Sequence, residues 1–348
     1  VAEIDVTVRG AGAFGLAVAW ACARRGARVR VIDPAGVGAG ASGGVVGALA
    51  PHAPERWDAT KAFQRDSLAM AEGWWAEVAR AGGGDPGYAR TGRLQPIADE
   101  AALDRARARA EGAAAHWPGH AWEVVPAPLS APGGWAPVSP TGLVIRDTFS
   151  ARLHPARACA ALAAALRARG AEILPEGEAR GAVVHATGWR GLAELRGPAA
   201  RPAGAGVKGQ AALLALDRAG APQIYADRLH VVPHADGTVA VGSTTERDWS
   251  DEAGTDAALD DVIARARAAV PALAEAPVLR RWAGIRPRAR TRAAMLGAWP
   301  GRPGQWVANG GFKIGFGLAP LVGEVMAELV LDGDGSRIPD AFAPERSL

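Results

Sequence analysis

"GAGAFGLAVAWACARRGARVRVID", residues 10–33, decides how this chain folds. The stretch before it, "IDVTV" (4–8), reads as a buried parallel strand that ends at the first glycine. Gly10, Gly12 and Gly15 fill the three glycine places of G-x-G-x-x-G. The apolar segment after them reads as a helix ending at Gly26, and "ARVRVID" as a second strand finishing at Asp33. Strand, glycine turn, helix, strand and acid in this order make one βαβ unit that holds a dinucleotide. Gly10 permits the tight turn, Gly12 lets a pyrophosphate approach the backbone, and Gly15 lets helix and strand pack closely. Ala13 and Phe14 open the helix, whose N-terminus offers free N–H groups and partial positive charge to the phosphates. Asp33, followed by Pro34, stands where a carboxylate accepts hydrogen bonds from ribose hydroxyls. An acid at that place argues against a 2′-phosphate, and so against NADP.

The rest of the 348 residues leaves room for two domains, or one with a large insertion. Hydrophobic residues make up 49% and charged residues 22%, enough apolar surface for a sizeable core. The net charge of +3 comes from arginines scattered along Ala/Arg-rich helices, which gives no argument for nucleic acid. No run of ~18 apolar residues is present to cross a membrane, and "VAEIDVTVRG" lacks the pattern of a secretory signal, so the expected location is cytoplasmic. Cys22 and Cys159 sit in Ala-rich helical patterns without ligand spacing and read as buried thiols; no metal site is expected.

Downstream, 57–81 and 99–115 read as helices, and 117–140 as loop with irregular strands. Residues 207–250 alternate like an antiparallel sheet with a hairpin turn at "HADG", and a closing helix covers 318–332. Parallel units at both ends with antiparallel strands between them predict a mixed α/β (α+β overall) fold. It is a discontinuous Rossmann-like nucleotide domain with an inserted antiparallel-sheet substrate domain. The boundaries are placed at 1–85, 141–195 and 283–348 for the first, and at 86–140 and 196–282 for the second.

The loop after Asp33 separates flavin from nicotinamide. "GAGASGGVVGALAP" (38–51) is long and built of small residues that let backbone approach a flat ring or a pyrophosphate. With "VVHATGW", "VKGQ", "HVVPHADGTVAVGSTTE", "WAGIRP" and "NGGFKIGFGLAP" in this order, the chain resembles the D-amino acid oxidase-like family of FAD enzymes. The likeness is strongest to the glycine oxidase and D-amino acid dehydrogenase branch. It covers most of the chain and implies FAD on the N-terminal unit; Cys22 and Cys159 lie on helices away from any ring motif and His52 is the only histidine in the loop, so the FAD is expected to be non-covalent. Ala41, Ser42 and Gly43 would lie near the pyrophosphate, Gly47, Ala48 and Leu49 near the isoalloxazine, and Thr187, Gly188 and Trp189 along the nucleotide. The segment between "AEIL" and "GAVVHATG" is too short for the family's three-strand meander.

On the substrate side, Arg286 of "WAGIRP" matches the family arginine that grips an amino acid's carboxylate, and Gly284 beside it is assigned to the cofactor. The family's following acid is missing; Arg288, Arg290 and Arg292 stand there and are expected to face solvent. His230 stands where relatives often have a tyrosine, with either a substrate or a structural role open to it. In the late glycine loop, Gly311, Phe312, Lys313, Ile314 and Gly315 are expected at the flavin's pyrimidine edge. Lys313 lies by the ring or the substrate carboxylate, and the helix from Leu318 or Ala319 aims its positive end at the ring.

The resemblance thus implies a FAD-dependent oxidoreductase. It would oxidise the C–N bond of a small carboxylate-bearing amine (glycine, sarcosine or a D-amino acid) to an imine that water hydrolyses. Oxygen or another acceptor takes the electrons, and an oligomer is possible. The alternatives are oxidative removal of a carboxymethylamino group from RNA, and a flavoprotein that binds without turnover.

Overall fold

The computed structural model describes residues 3–127, 134–196 and 200–348. In chain order the first half contains β1 (Val6–Arg9), α1 (Ala13–Arg24), β2 (Val29–Ile32), β3 (Ala48–Leu49), α2 (Ala59–Gly82), β4 (Arg93–Pro96), α3 (Glu100–His116), β5 (Trp122–Pro126), β6 (Leu143–Asp147), β7 (Ala151–Arg152) and α4 (Pro155–Ala168). Next come β8 (Glu172–Leu174), β9 (Ala182–His185), α5 (Gly188–Glu194), β10 (Gly204–Ala215), β11 (Gln223–Ala226), β12 (Leu229–Pro233) and β13 (Thr238–Gly242). The chain closes with α6 (Ala257–Ala269), β14 (Val278–Ala289), β15 (Met295–Ala298), β16 (Gln305–Asn309) and α7 (Gly315–Asp332).

The first sheet has the order β15-β16-β9-β1-β2-β8 and is parallel except for the β15–β16 pair. Val6, Val8, Val29, Val31 and Val184 bury one of its faces in the same core as α1, α4 and α7. α1 is buried from Ala13 to Ala23, which its alanines permit because they let neighbouring backbones close in. Gly323 of α7 shows how close: a Cβ there would stand 2.7 Å from the Ala17 carbonyl oxygen. Glu324, next along α7 and 6% exposed, ties the helices together. Its carboxylate accepts from Arg24 Nη2 (2.9 Å), Arg25 Nη1 (2.8 Å) and Trp74 Nε1 (3.1 Å).

The second sheet has eight strands in the order β14-β10-β13-β12-β11-β4-β6-β5. Alternation sorts its residues into two faces. Leu94, Ile224, Val231, Val241, Ala212 and Leu214 pack on Leu259, Val262, Ile263 and Ala266 of α6. The opposite face carries Arg93, Tyr225, His230, Gly242, Ala211, Gly209, Trp282 and Arg286, as the strand registers require. There Ala211, Leu213, Val232 and Ala240 form a core with Val45, and Val46, Ala48 and Trp282 pack against it. The small-residue loop after Asp33 is therefore pressed onto this inward face.

The structure refines several expectations. Residues 122–126 form a regular strand in a region read as irregular, and 128–133 lie outside the described residues. Gly188 and Trp189 begin the short helix α5, which packs on β10 and β14. α7 starts at Gly315, one turn before Leu318. The link from β8 to β9 carries no strand, as its length predicted. β6 and all of β14 belong to the eight-stranded sheet, which therefore reaches past the boundaries placed at 141 and 283. Cys22 and Cys159 are buried free thiols, and burial pushes both up to about 12. No described helix is long and apolar enough to cross a membrane. No cluster of metal-ligating side chains occurs among the described residues.

Candidate active site

The nucleotide cradle starts at Gly10, where φ is +108° and a Cβ would lie 2.2 Å from the Ala186 carbonyl oxygen. Only glycine fits there, because the obstacle is backbone. Gly12 differs: a Cβ would meet only the Ser42 hydroxyl, at 3.1 Å, so its missing side chain leaves an open cradle. Gly12 caps α1 without a side chain, and no acid sits in the first turn, so the positive helix end faces outward unneutralised. Ala13 N donates to Ser42 Oγ at 2.9 Å, which brings residues 41–43 to the helix start. Asp33 is held from both sides: Oδ2 accepts from Ala11 N (2.8 Å) and Oδ1 from Ala35 N (3.0 Å). Each oxygen keeps a lone pair for a hydroxyl. This donor set suits the diphosphate and ribose of a dinucleotide.

The late glycine loop closes on the first one. Gly311 lies against the ring of Phe14, where a Cβ would come within 2.9 Å of Cζ. Phe312, at φ +41°, donates its N–H to Pro287 O of β14 at 3.1 Å. Gly311 to Ile314, His52 and Leu318 line a cavity of about 480 Å³ that adjoins the start of α7. Lys313 is placed at its edge and donates to Thr245 Oγ1 at 3.0 Å. Burial, with the nearby Arg286, lowers the Lys313 ammonium.

Arg286 lies flat on the inward sheet face. Nη2 donates to Ser243 Oγ (2.6 Å) and Nη1 to Thr244 O (3.2 Å). The guanidinium covers Gly209 of the neighbouring strand, where a Cβ would stand 1.9–2.2 Å from Nη2, Cζ and Nη1. No carboxylate pairs with it among the described residues, and burial pulls it down to about 10 while Glu246 opposes the shift. His230, three strands away on β12, has an unpartnered Nδ1 and packs on Tyr225 with ring centroids 4.7 Å apart. Burial, then the charges of Arg93, Lys313 and Arg286, push its imidazole down to about 3. His230 is therefore a neutral hydrogen-bonding group at ordinary pH and too weak a base to take a proton.

Contacts tie the two glycine loops and Ser42 together and Lys313 lies near Arg286, while other predicted residues turn elsewhere. The free face of Gly284 is taken by the Trp282 indole, 2.5 Å from a Cβ built there. Trp189 turns its ring to Trp249 (5.3 Å), away from the cradle. Thr187 also lines a separate cavity of about 490 Å³ with Arg9, His185 and Trp299. Arg290 and Arg292 are exposed, whereas Arg288 is half-buried. Sequence reading assigned no role to Gly209 of "VKGQ" or to Ser243 of "GSTTE", and Tyr225 and Arg93 lie in no quoted motif; strand register brings the four to one face.

The family model described as FAD dependent oxidoreductase matches residues 5–329. Glycine oxidase of Pseudomonas putida is 32% identical over 143 residues, covering 41% of this chain and 39% of that protein. Among solved structures, glycine oxidase from Geobacillus kaustophilus superposes with a TM-score of 0.84 at 22% identity, covering 99% of each chain. Iminodiacetate oxidase from Chelativorans sp. BNC1 gives 0.83 at 23%, covering 97% of this chain and 98% of that one. At such identities the structural likeness speaks for the fold. With the open cradle and the family match together, the chain belongs to the D-amino acid oxidase-like FAD dependent oxidoreductases, and its cofactor is FAD.

Proposed function

We propose that this oxidoreductase oxidises the C–N bond of a small amino acid or N-substituted amino acid, giving an imine that water hydrolyses. Oxygen or another carrier accepts the electrons. The observation that carries this reading is Arg286: a largely buried guanidinium on the inward face, paired with no carboxylate, its fork held by Ser243 and Thr244. Such a group fits a substrate carboxylate in two-bond geometry. Bound FAD supplies the two-electron acceptor; the protein supplies position and field. Residues 10–15, Asp33 and 41–43 would hold the nucleotide end, and Gly47 to Leu49 with Gly311 to Gly315 the ring end. Thr187 and Gly188 would sit between them.

Arg286 and Lys313 would fix the carboxylate and so orient the bond to be oxidised. Their positive field, with that of Arg93, also favours the uncharged amine over the ammonium, which supplies the lone pair the oxidation needs. His230 would donate or accept a hydrogen bond without changing charge. We assign 1–85, most of 148–195 and 290–348 to the FAD-binding part, and the strands of the eight-stranded sheet to the substrate part.

Anaerobic mixing of the holoenzyme with glycine, sarcosine, D-alanine and N-carboxymethyl amines is expected to bleach the flavin absorption band. Arg286→Ala is expected to weaken bleaching by carboxylate-bearing amines. Absence of bleaching with every such amine, or full bleaching in Arg286→Ala, refutes the reading.

A further inference from the structure

We infer that Arg93 forms a second anion subsite across the inward sheet face from Arg286, so that the preferred substrate bears a second acidic group. The inference rests on the amine oxidation proposed above and adds the substrate class. Arg93 is 7% exposed and on β4. Its Nε donates to Asp147 Oδ2 at 2.9 Å. Asp147 is fully buried and also accepts from Ser150 N (2.7 Å) and Ser150 Oγ (3.0 Å). The carboxylate thus fixes Arg93 by one edge only. Neither Nη nitrogen has a hydrogen-bond partner among the described residues, and neither is sealed from the space in front of the sheet. Cζ lies 6.0 Å from the Tyr225 ring centroid, so the fork leans along the sheet toward β11 and His230.

An arginine whose stem is buried while the donors at the end of its fork stay open is set up to receive an anion. Its placement makes sense if a ligand completes it. Asp147 offsets its charge but leaves its two-pronged donor edge free. Both guanidiniums reach toward the middle of the sheet. Arg286 crosses β10 to Ser243 at the end of β13, and Arg93 leans over Tyr225 on β11, the strand next to its own. A molecule held by both would carry an acid group at each end. Neutral His230 and the ring of Tyr225 lie between the two cations, and would meet the middle of such a molecule.

The test uses the holoenzyme and the ratio of diacid to monoacid affinity. Inert acetate is compared with malonate and succinate by their shifts of the flavin spectrum. Glycine, sarcosine and D-alanine are compared with iminodiacetate, D-aspartate and D-glutamate by anaerobic bleaching. Diacids are expected to bind about tenfold to a hundredfold tighter, the worth of a hydrogen-bonded charge. Arg93→Gln is expected to bring the ratio toward one. A wild-type ratio near one, or a ratio unmoved by Arg93→Gln, overturns the inference. If that variant does not fold, the wild-type ratio decides alone. Bleaching without diacid preference refutes the subsite and keeps the reaction. Selective diacid binding without bleaching by any amine keeps the subsite and refutes the reaction.

Discussion

Gly209→Ala tests the site through a residue to which the sequence reading gave no role. The backbone at Gly209 is extended within β10, so alanine meets no conformational penalty there. The new methyl would, however, lie 1.9 Å from Nη2, 2.1 Å from Cζ and 2.2 Å from Nη1 of Arg286. Ordinary contact distances are about 3.5–4.0 Å, so the guanidinium must move away by more than an ångström. It then gives up Ser243 Oγ and Thr244 O and loses the pose that would clamp a carboxylate. Losing two charge-assisted bonds to substrate costs about 3 kcal/mol, roughly 150-fold in Kd.

Stability responds differently. The lost internal bonds cost about 1 kcal/mol each, while alanine in a strand regains roughly 0.5–1 kcal/mol over glycine. The net change is within about 1–2 kcal/mol, and the flavin content stays that of the wild type. The assay is titration of the holoenzyme with acetate followed in the flavin spectrum, alongside urea unfolding. In a double-mutant cycle with Arg286→Ala, the second change should add almost nothing to the loss of affinity. Wild-type acetate affinity in Gly209→Ala, or fully additive losses, refutes the placement of Arg286 as the carboxylate clamp.

Gly10→Ala puts a methyl against the Ala186 backbone at a φ of +108°; an apoprotein with no flavin band after purification is expected, checked by absorbance and added FAD. Glu324→Ala strands the Trp74 N–H and removes the acceptor shared by Arg24 and Arg25. Because both arginines stay about a quarter exposed and keep Glu77 and Glu328, urea unfolding should show a loss near 2–3 kcal/mol, the low end for a broken buried pair. Acid should destabilise the fold through His234, which is 1% exposed, bonds Val45 O at 2.9 Å, and is pushed down to about 4 by burial. Below the unfolded value near 6.5 the unfolded chain binds a proton that the folded chain refuses, so stability falls from pH 6.5 towards 4. His234 alone accounts for about 2 kcal/mol by pH 5, and unchanged urea midpoints between pH 7.5 and 5 would contradict it.

The sequence by itself determined what depends on near neighbours in the chain. The βαβ unit, the place of Asp33, the small-residue loop and the helix after the late glycines follow from glycine spacing and apolar periodicity. These set local backbone geometry wherever they occur. The family likeness added Arg286 and Lys313, and the missing meander was legible as a missing length of chain.

Tertiary structure alone decided which residues face one another. Gly284, reading as a cofactor contact, is filled by its own neighbour's indole because alternate residues of a strand share a face. Trp189 is drawn off to Trp249 by the turn of α5. Gly209 supports Arg286, and Arg93 looks toward His230, because β10 lies beside β14 and β4 beside β11. That strand order closes over long stretches of chain, and a side chain's partners are fixed by register rather than by its neighbours in sequence. The two glycine loops, some 300 residues apart, meet at Phe14 and Gly311 for the same reason. Each is locally a glycine turn at a helix start, and the packing of α7 on α1 brings the two together.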